Sequence, residues 1–198
     1  MKPTLSNREE QILLLLKKFD FLTRDQLNSY FKLGKVCNTN RVLRSLSFYL
    51  FNIREGYQTI YYLSKEGRGY VGCEKVRKKG GHVKHFIMRN QFWLFYNCPI
   101  DWKNEVKISS GSNSVITDAM FTRNGFQYFL EVDNLQTMKT NRDKINRYKN
   151  LMPSILQQFG YNPTLVWLTT TELRRKQLEE ACASNGLKFQ IYTMDDIT

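Results

Sequence analysis

Three carboxylates in the middle of the chain have the types and spacing that metal-dependent chemistry requires. Glu131 and Asp133 stand two residues apart at the end of a β-favouring run, residues 126–133. In a strand, residues i and i+2 point to the same face of the sheet. Asp118 lies upstream in a second β-type run, residues 115–121. Because gathered carboxylates repel one another and Mg²⁺ or Mn²⁺ prefers oxygen ligands, the pattern predicts a divalent-metal site.

A tight turn between these two runs is predicted at Asn124-Gly125, which is a strong short hairpin signal. Closing the hairpin would bring Asp118 towards the pair of Glu131 and Asp133 at one end of a small sheet. Glu105 lies in a further predicted strand, residues 102–108, and adds an auxiliary oxygen ligand. The predicted metal ligands are therefore Glu105, Asp118 and Glu131.

A basic amphipathic helix is predicted after the carboxylate strand, at residues 139–151, with Pro153 breaking or kinking it. This helix carries Lys144, the candidate polarising cation. The predicted catalytic residues are Asp118, Glu131, Asp133 and Lys144. A structural alternative stays open, in which the two acids of the strand pair with basic residues of this helix as an ion network, namely Arg142, Lys144 or Arg147.

The order of the C-terminal elements resembles the PD-(D/E)xK nuclease core: a helix, three meandering strands, a helix and a strand. That resemblance implies an acid on the second strand and another on the third, which hold a metal ion that activates water against a phosphodiester. Two positions depart from the pattern. Asp133 stands where that core usually has a lysine, and Thr117 precedes Asp118 where a proline is usual. These departures favour a non-catalytic domain over an active Mg²⁺-dependent DNA-nicking endonuclease, and both versions stay open.

The first third of the chain has the signals of three helices and a two-stranded hairpin. Capping boxes are predicted at Ser6 with Glu9 and at Thr23 with Gln26. They begin a helix at residues 7–18 and a second short helix. A third helix is predicted at residues 40–50, capped by Asn38-Thr39, and strands follow around a turn at Glu55-Gly56. This order is typical of a winged helix-turn-helix, whose third helix enters the major groove of DNA.

Basic residues are concentrated in the same part of the chain. Residues 1–90 hold 18 Lys and Arg against 7 Asp and Glu, a net charge of +11, whereas residues 91–198 hold 12 against 11, a net charge of +1. This asymmetry indicates a polyanionic partner, and double-stranded DNA is the leading candidate. The predicted DNA-binding residues belong to the third helix, the wing and a basic run before the second domain: Arg41, Arg44, Ser45, Arg54, Lys75, Arg77, Lys78 and Lys79.

Taken together, these features resemble the replication-relaxation family of plasmids and other bacterial mobile elements, over residues 5–149. The resemblance is carried by the N-terminal winged helix, His85 at a helix start, Glu105, Asp118-Ala119, Glu131-Val132-Asp133, and Lys144 with Tyr148. It implies binding to plasmid DNA and roles in replication, DNA relaxation or mobilisation, or transcriptional control. A winged-helix adaptor that mainly binds replication or conjugation proteins is a second alternative, and a homodimer is compatible with each version.

The predicted fold class is an α+β N-terminal winged helix-turn-helix followed by an α/β PD-(D/E)xK nuclease-like domain with a mixed sheet. The predicted domains are residues 1–73, a basic linker at 74–84 and residues 85–198. A tyrosine relaxase with three metal-binding histidines is not expected, because the chain holds only His82 and His85. With no long apolar run and four scattered cysteines, the chain is predicted to be cytoplasmic and reduced, with no membrane partner.

Overall fold

The structure, a computed structural model, describes residues 4–78, 80 and 82–198. The chain divides into two compact units, Met1–Asn90 and Gln91–Thr198. The division falls inside one helix, Val83–Phe95. The domain boundaries predicted from the sequence, at residues 73 and 85, stay predictions, and Lys79 and Gly81 of the predicted linker lie outside the described residues.

In the described residues of unit 1 there are four helices and a small antiparallel sheet, followed by the first part of the helix at the boundary. The sheet order is β1-β3-β2, so the third strand lies between the other two. In chain order the elements are α1 Asn7–Phe19, β1 Leu22–Thr23, α2 Arg24–Phe31, α3 Val36–Ser45, β2 Leu50–Glu55, β3 Gln58–Leu63, α4 Lys65–Val71 and α5 Val83–Phe95.

Both predicted capping boxes of unit 1 are confirmed. The Ser6 and Thr23 side chains each accept a hydrogen bond from the backbone N–H three residues on. In return, the Glu9 and Gln26 side chains accept hydrogen bonds from the backbone N–H groups of Ser6 and Thr23. Each box satisfies two N–H groups that a helix start leaves without partners. The two helix starts could therefore be predicted from local sequence alone.

The predicted position of α3 is wrong at both ends. The helix runs from Val36 to Ser45 rather than over residues 40–50, and its N-cap, Lys35, makes no side-chain cap. Asn38 lies inside the first turn and donates from its amide to the Leu33 carbonyl at 2.6 Å. Leu50 begins β2. Asn38-Thr39 resembles a cap by residue type, but its polar side chains bond backwards to preceding carbonyls.

Unit 2 is built on a five-stranded mixed sheet in the order β4-β5-β6-β7-β8. The first three strands are antiparallel neighbours, whereas β6, β7 and β8 pair in parallel. After the end of α5 the elements are β4 Lys103–Ser110, β5 Asn113–Arg123, β6 Phe126–Val132, α6 Met138–Phe159, β7 Thr164–Thr169, α7 Glu172–Ser184, β8 Phe189–Thr193 and a short 3-10 turn, Met194–Asp196. The whole fold is therefore mixed α+β.

The hairpin predicted at Asn124-Gly125 is confirmed. Arg123 pairs with Phe126 across it, and both turn residues have positive φ, 52° at Asn124 and 79° at Gly125. A two-residue turn whose backbone twist matches that of its strands needs positive φ at both positions. Strand β7 is buried on both faces, because every one of its residues is buried.

The predicted end of α6 is wrong. The helix continues through Pro153 to Phe159 and ends at Gly160, whose φ of 77° forms a left-handed cap. A proline removes one backbone hydrogen bond. Here Leu151, Met152 and Ile155 continue the buried face of the helix on both sides of the proline. That buried apolar surface stabilises the helix beyond the point where local preference would end it.

Helices α6 and α7 pack on one face of the sheet and form the core of unit 2. The core joins apolar residues of both helices to residues of β5, β6 and β7, including Phe129, Ile145, Tyr148, Trp167 and Leu178. Within the described ranges, no helix combines the length and the apolar character that crossing a membrane would need.

Candidate functional site

The register of the sheet places the three predicted acidic ligands at one level on three adjacent strands. Ala119 pairs with Leu130, which sets Asp118 opposite Glu131. Asn104 pairs with Ala119, which sets Glu105 opposite Asp118. Glu105 is exposed and has a φ of 53°, in the left-handed region that residues other than glycine adopt rarely.

Glu131 is the buried centre of this group, with 1% of its surface exposed. Lys144 donates from Nζ to its Oε2, and Tyr148 donates from its hydroxyl to its Oε1. Both donors lie on α6, four residues apart, and residues at that spacing share one helix face. Both oxygens of the carboxylate are therefore bound by side chains of α6.

The alternation of side chains between the two faces of the sheet is interrupted in β5 near Asp118. Val115 and Met120 both pack against the core under α6, although residues five apart in a regular strand point to opposite faces. Between them the Thr117 hydroxyl lies 2.9 Å from the Ala119 carbonyl and 2.8 Å from the Leu130 carbonyl. Asp118 accepts a hydrogen bond from the Val132 backbone N–H at 2.7 Å. These side-chain contacts replace ladder bonds and bring Asp118 to the same side as Glu131.

The electrostatics of the group follow from burial. Burial of Glu131 and the neighbouring negative charge of Asp118 raise the pKa of Glu131 well above its ordinary value of 4.5, and Lys144 and Tyr148 counteract this only in part. Burial and the adjacent Glu131 carboxylate likewise raise the pKa of Tyr148 well above 10. Tyr148 is fully buried and therefore stays a protonated donor to Glu131 near neutral pH.

Asp133 has a different set of partners. It is buried just after β6, and Arg174 of α7 binds it through Nε at 2.8 Å and Nη2 at 2.7 Å. The Thr169 hydroxyl donates a third hydrogen bond at 2.9 Å. Arg174 also donates to the Gln136 carbonyl at 2.8 Å, which holds the loop before α6. No local sequence pattern points to Arg174 or Thr169, because their pairing with Asp133 depends on the parallel neighbour β7 and the helix after it.

The acidic residues do not fit a preformed divalent-metal site as they are placed. Among the described residues, no three Asp, Glu, His or Cys side chains converge as metal ligands. The two oxygens of Glu131 bind Lys144 and Tyr148, and Asp133 is bound by an arginine. The arrangement holds its negative charge with ammonium, guanidinium and hydroxyl groups.

Helix α3 and the hairpin after it carry three exposed arginines of unit 1. Arg41 and Arg44 are exposed and, with Cys37, Asn40 and Ser45, line a shallow depression of about 530 Å³. Arg41 donates to the Asn38 side chain at 2.7 Å. On β2, the exposed Arg54 donates to the Gly56 carbonyl at 3.3 Å, next to the turn. These side chains present positive charge to solvent from one helix and one hairpin.

Two of the predicted DNA-binding residues make side-chain contacts within unit 1, and their role in DNA binding stays a prediction. Ser45 donates to the Glu9 side chain at 2.8 Å and so joins α3 to the capping box of α1. Arg77 binds the buried Asp20 at 2.9 and 3.1 Å, and its guanidinium lies 4.9 Å from the centre of the Phe86 ring. Lys75 and Lys78 are exposed in a stretch without regular structure, and Lys79 lies outside the described residues.

The fold and the acidic group define a mixed α+β chain with a charge-neutralised carboxylate cluster in its larger sheet. The chain belongs to the replication-relaxation family, whose family model matches residues 13–165. Membership indicates a replication-related protein of a plasmid or other mobile element. No curated protein matches the chain at a significant level.

Two solved structures align with nearly the whole length of this chain. The crystal structure of protein VC1899 from Vibrio cholerae is 14% identical, with a TM-score of 0.43, and the match covers 98% of this chain and 55% of that one. Can2 from Sulfobacillus thermosulfidooxidans, solved in complex with cyclic tetra-adenylate, is 12% identical, with a TM-score of 0.35, and the match covers 96% and 53%. The chain thus spans about half the length of each. At these values neither structure defines the fold or function of this chain.

Proposed function

We propose that this protein binds double-stranded DNA of a plasmid or other mobile element and acts in its replication, relaxation or mobilisation, or transcriptional control. The observation that carries the proposal is the element order of unit 1. The order α1-β1-α2-α3-β2-β3, with β3 between β1 and β2, supports a winged helix-turn-helix. In that architecture α3 is the recognition helix and the β2–β3 hairpin is the wing.

The side chains of α3 and the hairpin support this assignment. Arg41 and Arg44 are exposed on α3, where a guanidinium can bind guanine edges or phosphate oxygens. Arg54 stands on the hairpin and suits a phosphate or the minor groove. Unit 1 carries a net charge of +11, which favours a polyanion over an uncharged partner.

Duplex binding measured against salt concentration tests the proposal. Each phosphate contact contributes about 0.9 to the slope of log affinity against log salt. We expect a steep slope for the wild type and a large loss of affinity in the double variant Arg41→Gln with Arg44→Gln. The matched control is Arg8→Gln with Lys65→Gln, which removes the same charge from exposed positions on α1 and α4. A nearly flat slope, unchanged by the α3 variant, would favour the adaptor that binds replication or conjugation proteins.

For unit 2 we propose a nuclease-like core of the PD-(D/E)xK type that has lost catalysis. The order of β4, β5, β6, α6 and β7 agrees with such a core, but Asp133 holds the usual lysine position and is bound by Arg174. Lys144 binds Glu131 and neutralises its charge. The domain would then serve as a scaffold for DNA or for partner proteins.

Metal-dependent DNA nicking is the second candidate, and the position of Asp118 opposite Glu131 beside Lys144 favours it. Supercoiled plasmid incubated with Mg²⁺ or Mn²⁺ distinguishes the two versions. The scaffold proposal predicts no nicking above buffer. Nicking that disappears in both Asp118→Asn and Glu131→Gln, with circular dichroism unchanged, would overturn it in favour of the enzyme. Nicking that survives both changes would indicate a contaminating nuclease.

A further inference from the structure

Helix α6 concentrates positive charge in a unit that is otherwise acidic. Its 22 residues include five Lys or Arg and one acid, Asp143, a net charge of +4. Residues 91–198 together carry only +1, so the rest of unit 2 is net negative. This positive charge is therefore a local property of one helix.

Most of these cations lie on the solvent face of the helix. The buried face is formed by residues such as Ile145, Tyr148 and Met152. At about 100° per residue, Lys139, Arg142, Asn146 and Lys149 fall within one sector about 80° wide that lies beside the buried face. All four are exposed. We call Lys139, Arg142, Asn146 and Lys149 the α6 stripe, and at about 1.5 Å per residue it is about 15 Å long.

The cations of the stripe lack acidic partners, unlike three other basic residues of unit 2. Lys144, Arg174 and Arg175 each form ion pairs with carboxylates. Over the described residues, no ion pair involves Lys139, Arg142 or Lys149. Like charges at neighbouring helix positions destabilise a helix. An external anion would relieve this repulsion.

The chemistry of the stripe indicates a phosphate backbone rather than a protein or a lipid surface. Its outward neighbours between Lys139 and Lys149 are polar, Asp143 and Asn150. The exposed apolar residues beside Lys149, Pro153 and Leu156, follow the last cation of the stripe, so the stripe itself holds no apolar anchor of the kind that protein interfaces depend on. A helix lying in a membrane needs an apolar face towards the lipid, and the apolar face of α6 is buried in the core. Duplex DNA presents about one negative charge per 1.7 Å of its axis, so a surface about 15 Å long faces several phosphates.

We propose that the α6 stripe is a second duplex-DNA contact, in unit 2, that binds the phosphate backbone without reading bases. The inference rests on the proposed function, because it takes DNA as the ligand. Lys139, Arg142 and Lys149 bind phosphate oxygens, and Asn146 donates its amide to the backbone between them. Contacts of this kind set affinity and position and carry no sequence information.

The test uses the full-length chain and two duplexes of unrelated sequence. The stripe variant combines Lys139→Gln, Arg142→Gln and Lys149→Gln. The matched control combines Lys107→Gln, Lys176→Gln and Lys188→Gln, three exposed lysines on other elements of unit 2. Circular dichroism and urea unfolding verify that both variants fold. The salt slope of the stripe variant is expected to fall by about 3 on both duplexes, whereas the control changes the slope by less than about 1.

The outcomes separate the inference from the proposed function. A salt slope that falls no more in the stripe variant than in the control overturns the inference. This holds even if Arg41→Gln with Arg44→Gln weakens binding, which would support DNA binding by unit 1. A fall on one duplex only would overturn the backbone assignment, because phosphate contacts act on every sequence. A stripe effect without any Arg41 and Arg44 effect supports the inference and overturns the assignment of α3 as the recognition helix.

Discussion

Arg174 binds Asp133 with two parallel hydrogen bonds, from Nε to Oδ2 at 2.8 Å and from Nη2 to Oδ1 at 2.7 Å. Asp133 is buried and Arg174 keeps 22% of its side chain exposed. A bidentate pair of this geometry is among the stronger side-chain contacts in proteins. Asp133 therefore joins the end of β6 to α7 as a structural residue, at the position where a nuclease core would have its lysine.

Asp133→Asn is expected to destabilise unit 2 by about 2 to 3 kcal/mol, because it leaves the guanidinium without its charged partner. The Thr169 hydrogen bond would survive on the remaining carbonyl oxygen. Urea unfolding measures the change. Asp195→Asn, at an exposed position, is the control and should change the stability by less than about 0.5 kcal/mol. Equal effects of the two changes would contradict a structural role for the pair.

Two glycines of α4 are expected to respond to alanine in opposite directions. A Cβ on Gly67 would lie 2.1 Å from the Tyr49 carbonyl oxygen, whereas a Cβ on Gly69 would meet nothing within 4 Å. Gly67→Ala is therefore expected to cost about 3 kcal/mol or more through overpacking. Gly69→Ala is expected to gain about 0.5 to 1 kcal/mol from helix propensity. Thermal unfolding of the two variants tests the close packing of α4 on the residues before β2.

The raised pKa of Glu131 gives a pH dependence with a definite sign. Below its ordinary value of 4.5 the carboxyl is protonated in both the folded and unfolded states. As the pH rises above 4.5, the unfolded chain loses this proton while the folded protein keeps it. The free energy of unfolding therefore decreases until the pH passes the higher pKa of the folded state. The stability of the wild type relative to Glu131→Gln should therefore decrease between about pH 4.5 and neutrality.

Urea unfolding of both proteins across this pH range measures the difference. Glu180→Gln, at an exposed position of α7, should show a difference from the wild type that is nearly flat with pH. A Glu131→Gln difference that increases in favour of the wild type on raising the pH would mean that Lys144 and Tyr148 outweigh burial, with the pKa lowered instead.

Arg77→Gln is expected to destabilise unit 1 by about 2 kcal/mol, because buried Asp20 would lose its hydrogen-bonded guanidinium and keep only that of Arg89, 3.9 Å away. The slope of log affinity for duplex DNA against log salt concentration, measured on the folded variant, should match that of the wild type. Lys78→Gln next to it is the control, since Lys78 is exposed, and should leave stability unchanged. A slope lowered by Arg77→Gln without loss of stability would support the predicted DNA contact of Arg77 and contradict a structural role.

The features that the sequence predicts well are those with local causes. Ser6 with Glu9, and Asn124-Gly125, act over three residues or fewer, and both appear as expected. The acids on adjacent strands follow from that same hairpin. The features that local patterns miss depend on distant neighbours. Helix α6 continues past Pro153 because its apolar face is buried.

The partners of the charged groups show the same division. Lys144 was a predicted neighbour of the acids because it follows the carboxylate strand within one helix. Arg174 for Asp133, and Asp20 for Arg77, are separated by 41 and 57 residues, and no spacing rule connects them. The start of α3 is missed for a related reason. The Asn38 side chain hydrogen-bonds to the Leu33 carbonyl before the helix, so Asn38 does not act as the N-cap.

The complete enclosure of Tyr148 determines which chemistry that residue can take part in. With its hydroxyl held by Glu131 and none of its surface exposed, the phenol oxygen cannot attack a phosphorus atom and become esterified to a strand end. Tyr148 therefore cannot form a covalent phosphotyrosine bond that would conserve the energy of the broken phosphodiester for rejoining the strand. A strand cut beside the sheet without such a bond would stay open until a ligase joined it.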